Sequence, residues 1–310
     1  MYEIDFETSS GRIRGTSEGG PITFPGIPYG SAIGGDNGPR LDVRTPFATC
    51  AARRPVLVWF RGATARPADC AGPTHHPGFP LPADDVVLVA VDRHGRALRN
   101  LLGALDWVRK DIAGFGGDPT NVTILGGGRN ALRVTDLLAA PDTRGAFHRA
   151  IVHERPASIP PTAFTTDVPL LIGARTDDAG ARECSGRRAR SATPPVFRYR
   201  FDLPATVGGV DAPFAHGDGD PSPGAILRST DGAARSLAQA WIEFAHTGDP
   251  NRPGASPWPP YDVDRRTTMV FGRHRAGPGP KAPGHAWSAA SEATVPPASG
   301  SAPHGRLCLA

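Results

Sequence analysis

The strongest constraint on the fold lies in residues 122–131, which read Val-Thr-Ile-Leu-Gly-Gly-Gly-Arg-Asn-Ala. Val122, Thr123, Ile124 and Leu125 make a short strand with no polar face. Gly126, Gly127 and Gly128 give a tight turn, and Ala131 opens a helix. A strand passed through glycines straight into a helix is one βα unit, and such units stack into a parallel sheet covered on both faces.

The same order recurs along the chain. Residues 55–60 and 85–91 are continuous apolar runs, the pattern of strands buried on both sides. Leu98, Leu101, Leu102, Leu105, Val108 and Ile112 recur at three- and four-residue steps, which predicts a helix. Gly114 is placed to stop it. Residues 122–125, 149–153, 168–172 and 196–201 are read as strands, and residues 131–139 as a helix. A further helix over 233–246 carries Leu237, Trp241 and Phe244 on one face, with Gly248 past its end. Residues 1–30 alternate apolar and polar side chains between Gly11, Gly15 and Gly26, which predicts a β-meander at a sheet edge. Residues 41–43 form a short strand.

The chain has 38 glycines and 34 prolines among 310 residues, so long loops are expected. Residues 276–310, rich in Pro, Gly, Ser and Ala, read as a disordered tail behind one domain over 1–275. The net charge is only +4, and the basic cluster Arg187, Arg188 and Arg190 has no interleaved aromatics, so nucleic-acid binding is not expected. No run reaches the about 18 apolar residues of a membrane span, and residues 1–5 lack the pattern of a secretory leader. A cytoplasmic location with reduced thiols follows as the expectation. Cys50, Cys70, Cys184 and Cys308 are too scattered for a zinc motif, and His75-His76 near Cys70 matches no standard ligand spacing, so no metal is expected. Gly126-x-Gly128-x-x-Ala131 also fits a dinucleotide fingerprint. By itself this is a weak signal, so no nucleotide or other cofactor is expected.

Several segments, in order, resemble the type-B carboxylesterases, the cholinesterase-like group of the α/β-hydrolases. They are Gly11-Arg12-Ile13-Arg14-Gly15 with Phe24-Pro25-Gly26-Ile27-Pro28-Tyr29-Gly30, then Arg54-Pro55-Val56-Leu57-Val58-Trp59. Next come Ala104-Leu105-Asp106-Trp107-Val108-Arg109, Ile112, and Phe115-Gly116-Gly117-Asp118-Pro119 leading through Asn121 into the glycine turn. Later come Val168-Pro169-Leu170-Leu171-Ile172-Gly173, Ala215-His216-Gly217, and Trp241, Phe244-Ala245, Thr247-Gly248-Asp249-Pro250 and Trp258-Pro259. The resemblance covers roughly residues 5–272. It implies an α/β-hydrolase fold: a mostly parallel central sheet with helices on both faces. Family members are longer, and the interval between Glu154 and Val168 is short where they carry cap helices, so the cap region is expected to be largely deleted.

The resemblance also implies a site. Ester hydrolysis on this fold needs a nucleophile on a strained strand-to-helix turn, a histidine that takes its proton, and a carboxylate that orients the imidazole. Carried onto this chain, those positions are Gly128, His216 and Asp178. Gly128 has no side chain and cannot attack. Losing a triad nucleophile costs on the order of a millionfold in turnover. The oxyanion loop reads Arg61-Gly62-Ala63-Thr64, where Gly62 and Ala63, with Arg129 after the turn, hold the positions of the hole. Its donors are backbone N–H groups, but side chains stand where glycine permits close approach. Arg129 at a helix N-terminus also favours an anion.

The expected function is therefore a carboxylesterase-family protein that has lost serine-ester hydrolysis and keeps its pocket as a binding site for a small ester-like or anionic ligand, or its surface as an interaction module, without membrane or nucleic-acid partners. Two alternatives stand beside it. One is an enzyme using His216 as a non-covalent general base; the other is a residual carboxylesterase.

Overall fold

A computed structural model of the chain describes residues 2–17, 19–30, 38–46, 52–60, 86–91, 98–153, 167–174, 194–202, 232–262, 264–272 and 286–288. Among the described residues the strands are β1 (Tyr2–Thr8), β2 (Gly11–Ser17), β3 (Ile22–Pro28), β4 (Arg40–Thr45), β5 (Arg54–Phe60), β6 (Val87–Val91), β7 (Gly117–Gly127), β8 (Arg149–His153), β9 (Leu170–Ala174), β10 (Val196–Asp202), β11 (Thr268–Gly272) and β12 (Ala286–Ser288). The helices are α1 (Leu98–Asp111), α2 (Ala131–Ala139) and α3 (Gly232–Thr247). All twelve strands join one sheet in the order β1-β2-β3-β4-β6-β5-β7-β8-β9-β10-β11-β12.

The sheet divides by strand direction. β1 to β3 form the antiparallel meander expected of residues 1–30, and β4, over the strand expected at 41–43, pairs antiparallel with β3 and with β6. From β6 through β5, β7, β8, β9, β10 and β11 to β12 every pairing is parallel. The parallel part is the region where the sequence shows unbroken apolar runs.

Alternation along each strand sends side chains to two cores. In β5, Val56, Val58 and Phe60 face one side, with Val122, Ile124, Ala150 and Val152 and the apolar stripes of α1 and α2. Leu57 and Trp59 face the other, with Leu125, Ile151, Leu171, Phe197 and Tyr199 beneath Leu237, Trp241 and Phe244 of α3. Helices thus cover both faces, and only β10, with Arg198 and Arg200 alternating with Phe197 and Tyr199, carries a polar face among the described strands of this part.

Gly114 does not end α1. The helix stops at Asp111, tightens into a 3-10 turn over Ile112–Phe115, and is closed by Gly116 at φ 78°. An αL residue is what the end of such a turn requires, and Gly116 supplies it. Gly114 instead makes room for Phe6: a Cβ there would lie 2.4 Å from the ring. β7 also begins earlier than its apolar run, because Arg54 N–H donates to the Gly116 carbonyl at 2.9 Å and Arg54 pairs with Gly117 across a bulge. Asp118, in the same stretch, accepts from Thr120 and from Arg53, whose Nη2 is 3.1 Å away. Burial raises the Asp118 pKa, but these bonds outweigh it and hold the carboxyl below its ordinary range. β11 was not expected from the sequence, and β12 places residues 286–288 of the supposed tail in the sheet, against β11.

Midway along β7, His148 Nδ1 accepts the Val122 N–H at 3.1 Å. Burial, and then the neighbouring Arg149 charge, lower the His148 pKa, with Asp118 partly opposing them. The folded state therefore favours neutral imidazole. Its stabilisation is complete above the unfolded histidine pKa, near 6.5, and is lost as pH falls below that value. His148→Gln, which keeps an acceptor but does not titrate, is expected to flatten the pH dependence of urea-unfolding stability below about pH 6.5.

Candidate functional site

Parallel strands on a sheet of this kind present their carboxyl ends to ligands. β7 leads into the glycine turn at that end. Gly127 is still extended (φ −125°, ψ 153°), Gly128 turns to φ 55°, and Gly128–Asn130 form one 3-10 turn before α2. The Ala131 N–H closes the turn on the Gly128 carbonyl. Gly128 is buried. A φ near +55° costs an ordinary L-residue about 1–2 kcal/mol, the strain expected of an elbow apex.

Gly126 is needed for a different reason. A Cβ on it would stand 2.5 Å from the Asn130 carbonyl oxygen and 2.9 Å from Val134 Cγ2. The turn folds so closely onto its own strand that only hydrogen fits there. Strand pairing fixes where the turn sits, since Gly126 is in register with Val152 and Gly127 with His153.

His153 and Tyr199 are the two side chains of this region that the sequence did not single out. His153 is fully buried at the end of β8. Its Nδ1 lies 2.6 Å from the Tyr199 hydroxyl, and the two rings stack at an interplanar angle of 12°. The Trp241 ring of α3 meets the imidazole edge-on, with centroids 5.4 Å apart. Tyr199 reaches across β9 because Gly173 lies between: a Cβ on Gly173 would be 1.9 Å from Tyr199 Cζ. One lateral row of the sheet thus reads Gly127, His153, Gly173, Tyr199, with a glycine beside each ring. A hydrogen bond between residues 46 apart leaves no local signal in the sequence.

The other expected site residues lie largely outside the described residues. Gly62 and Ala63 follow β5 in the chain, Asp178 follows β9 and His216 follows β10, and none of the four is among the described residues. For Arg129 only the backbone is described, as part of the 3-10 turn. Cys70, His75 and His76, the Arg187–Arg190 cluster and residues 154–166 are also outside the described set. Among the described residues no helix is long and apolar enough to cross a membrane.

Comparison with known proteins defines the class of fold first. The structure aligns with the Geobacillus stearothermophilus carboxylesterase EST55 at a TM-score of 0.62 and 19% identity, covering 86% of this chain and 96% of that one. It aligns with an esterase from anaerobic Clostridium hathewayi, which can hydrolyze aliphatic aromatic polyesters, at a TM-score of 0.63 and 16% identity, covering 87% and 96%. The fold is the α/β-hydrolase fold, as the sequence implied.

The sequence comparisons add a similarity over one segment. Residues 96–175, which include α1, β7, the glycine turn and β8, match the carboxylesterase family. Human carboxylesterase 5A is 35% identical over 138 residues, 39% of this chain and 24% of the relative. Mouse carboxylesterase 3B is 36% identical over 129 residues, 36% of this chain and 22% of the relative. Over this segment the chain is similar to the carboxylesterases, and its alignments span about a quarter of the length of these relatives.

Proposed function

We infer that this chain is a non-hydrolytic member of the carboxylesterase family, one that keeps the elbow as part of a binding site for a small ester-like or anionic ligand. The observation that carries the reading is Gly128: a buried residue at φ 55° between β7 and α2, with only hydrogen where a nucleophile would stand. Acyl transfer on this fold begins with attack by the apex side chain, and without it no acyl-enzyme forms. Asp178 and His216 hold the acid and base positions, and Gly62, Ala63 and Arg129 the oxyanion positions. With no oxygen to deprotonate, these groups serve ligand binding. α2 is compatible with the anionic alternative, since it carries no acidic side chain in its first turn. The reading includes a cytoplasmic setting and no membrane or nucleic-acid partner.

The test is covalent labelling. A fluorophosphonate, which reacts only with an activated hydroxyl of this kind, is expected to leave the wild-type chain at its unmodified mass. A single stoichiometric adduct on any serine or threonine overturns the reading, because it means a nucleophile operates elsewhere.

A further inference from the structure

The elbow turn has no side chain of its own over Gly126, Gly127 and Gly128, and glycine has more backbone freedom than any other residue. Within the turn the Ala131 N–H to Gly128 carbonyl bond supports the φ of 55°, and the flanking strands supply the rest. On one side the strand pairing Gly127↔His153 ties the last residue before the apex to the last residue of β8. That end of β8 is held by the hydrogen bond between His153 Nδ1 and the Tyr199 hydroxyl at 2.6 Å. Tyr199 is itself fixed, lying over Gly173 and boxed by Trp258 and Phe271, with centroids 6.1 and 6.0 Å away. Trp241 closes the imidazole against α3.

We propose that His153 and Tyr199 are positioning residues for the elbow: they pin the end of β8, and through its pairing with Gly127 they set the placement of the Gly128 apex. The proposal rests on residues 126–131 being the elbow, but not on the loss of hydrolysis. Neither ring is accessible to a ligand, as Tyr199 is 1% and His153 0% exposed, so their action is indirect. The arrangement also gives Gly173 a purpose, since any side chain there would displace the phenol from the imidazole.

The test is amide hydrogen exchange on the wild-type chain and on Tyr199→Phe, which removes one hydroxyl and keeps the ring. Exchange in peptides covering residues 126–131 is expected to rise about three- to tenfold, the effect of losing one buried hydrogen bond, with little change in α1 or in β1 to β3. Thr45→Val is the control. It removes an equally buried hydroxyl bond, from Thr45 Oγ1 to the Phe115 carbonyl at 2.7 Å, and is expected to leave residues 126–131 unchanged. Two results overturn the proposal: unchanged exchange at 126–131 in Tyr199→Phe, or an equal rise over the whole sheet, which is the mark of simple destabilisation. Failure of the non-hydrolytic reading would appear in fluorophosphonate labelling and would leave these exchange rates as they are.

Discussion

Gly128→Ser is expected to raise p-nitrophenyl acetate turnover about a thousandfold. Removing a triad nucleophile costs roughly a millionfold, and that is the gain open to a restored serine. The altered oxyanion loop limits it, because loss of one donor from such a hole costs about a hundred- to a thousandfold. The remainder is about three to four orders of magnitude, and the lower end is expected. The serine would sit at φ 55°, so the same change is expected to lower unfolding stability by about 1 kcal/mol. Gain of function with loss of stability is an unusual pair and separates this effect from non-specific cleavage. Adding His216→Ala to the variant is expected to abolish the gain, because nothing would then take the proton from the new hydroxyl. Stopped assays on the two variants check both statements.

Gly173→Ala is expected to be the most damaging single methyl in the described sheet. The added carbon would stand 1.9, 2.2 and 2.4 Å from three atoms of the Tyr199 ring. The ring cannot yield, since it is 1% exposed and enclosed by His153, Trp258 and Phe271. Overpacking of a closed core costs about 1–3 kcal/mol and occasionally more, and here the upper end or beyond is expected. Domains are stable by only about 5–15 kcal/mol, so a large part of the total is at stake. Urea unfolding measures it. Gly232→Ala is the matched control: no atom lies within 4 Å of its added carbon, and its cost is expected to stay within about 0.5 kcal/mol.

Much of this fold can be read in the chain because its strongest signals are local. Unbroken apolar runs placed β5, β6 and β7 where the parallel sheet has them, and the stripe of Leu101, Leu105 and Val108 placed α1. The boundaries of α2 follow directly from the glycine turn before it. What stayed hidden depended on partners distant in sequence. β7 extends back to Gly117 because β5 pairs with it there, although Asp118-Pro119 reads as a turn. β12 is three residues long and gains strand geometry only from β11. Gly114 carries the sequence mark of a helix stop, yet its lack of a side chain is used by Phe6.

The site follows the same division. The strand-to-helix turn at Gly128 was visible because strand, glycines and helix are contiguous. Its support from His153, Gly173 and Tyr199 joins three strands, and only their register brings those residues into one row. Gly173 was seen as part of a family-like segment, but its use as a slot for the Tyr199 ring has no trace in local sequence.

The central claim is that position 128 contributes a hydrogen atom where hydrolysis requires an oxygen. Fluorophosphonate labelling of the wild-type chain beside Gly128→Ser, read by intact mass, tests it most directly. The account predicts no adduct on the wild type and one adduct on the variant, located at residue 128. One adduct on the wild-type chain, with saturable ester turnover that the reagent abolishes, would contradict it.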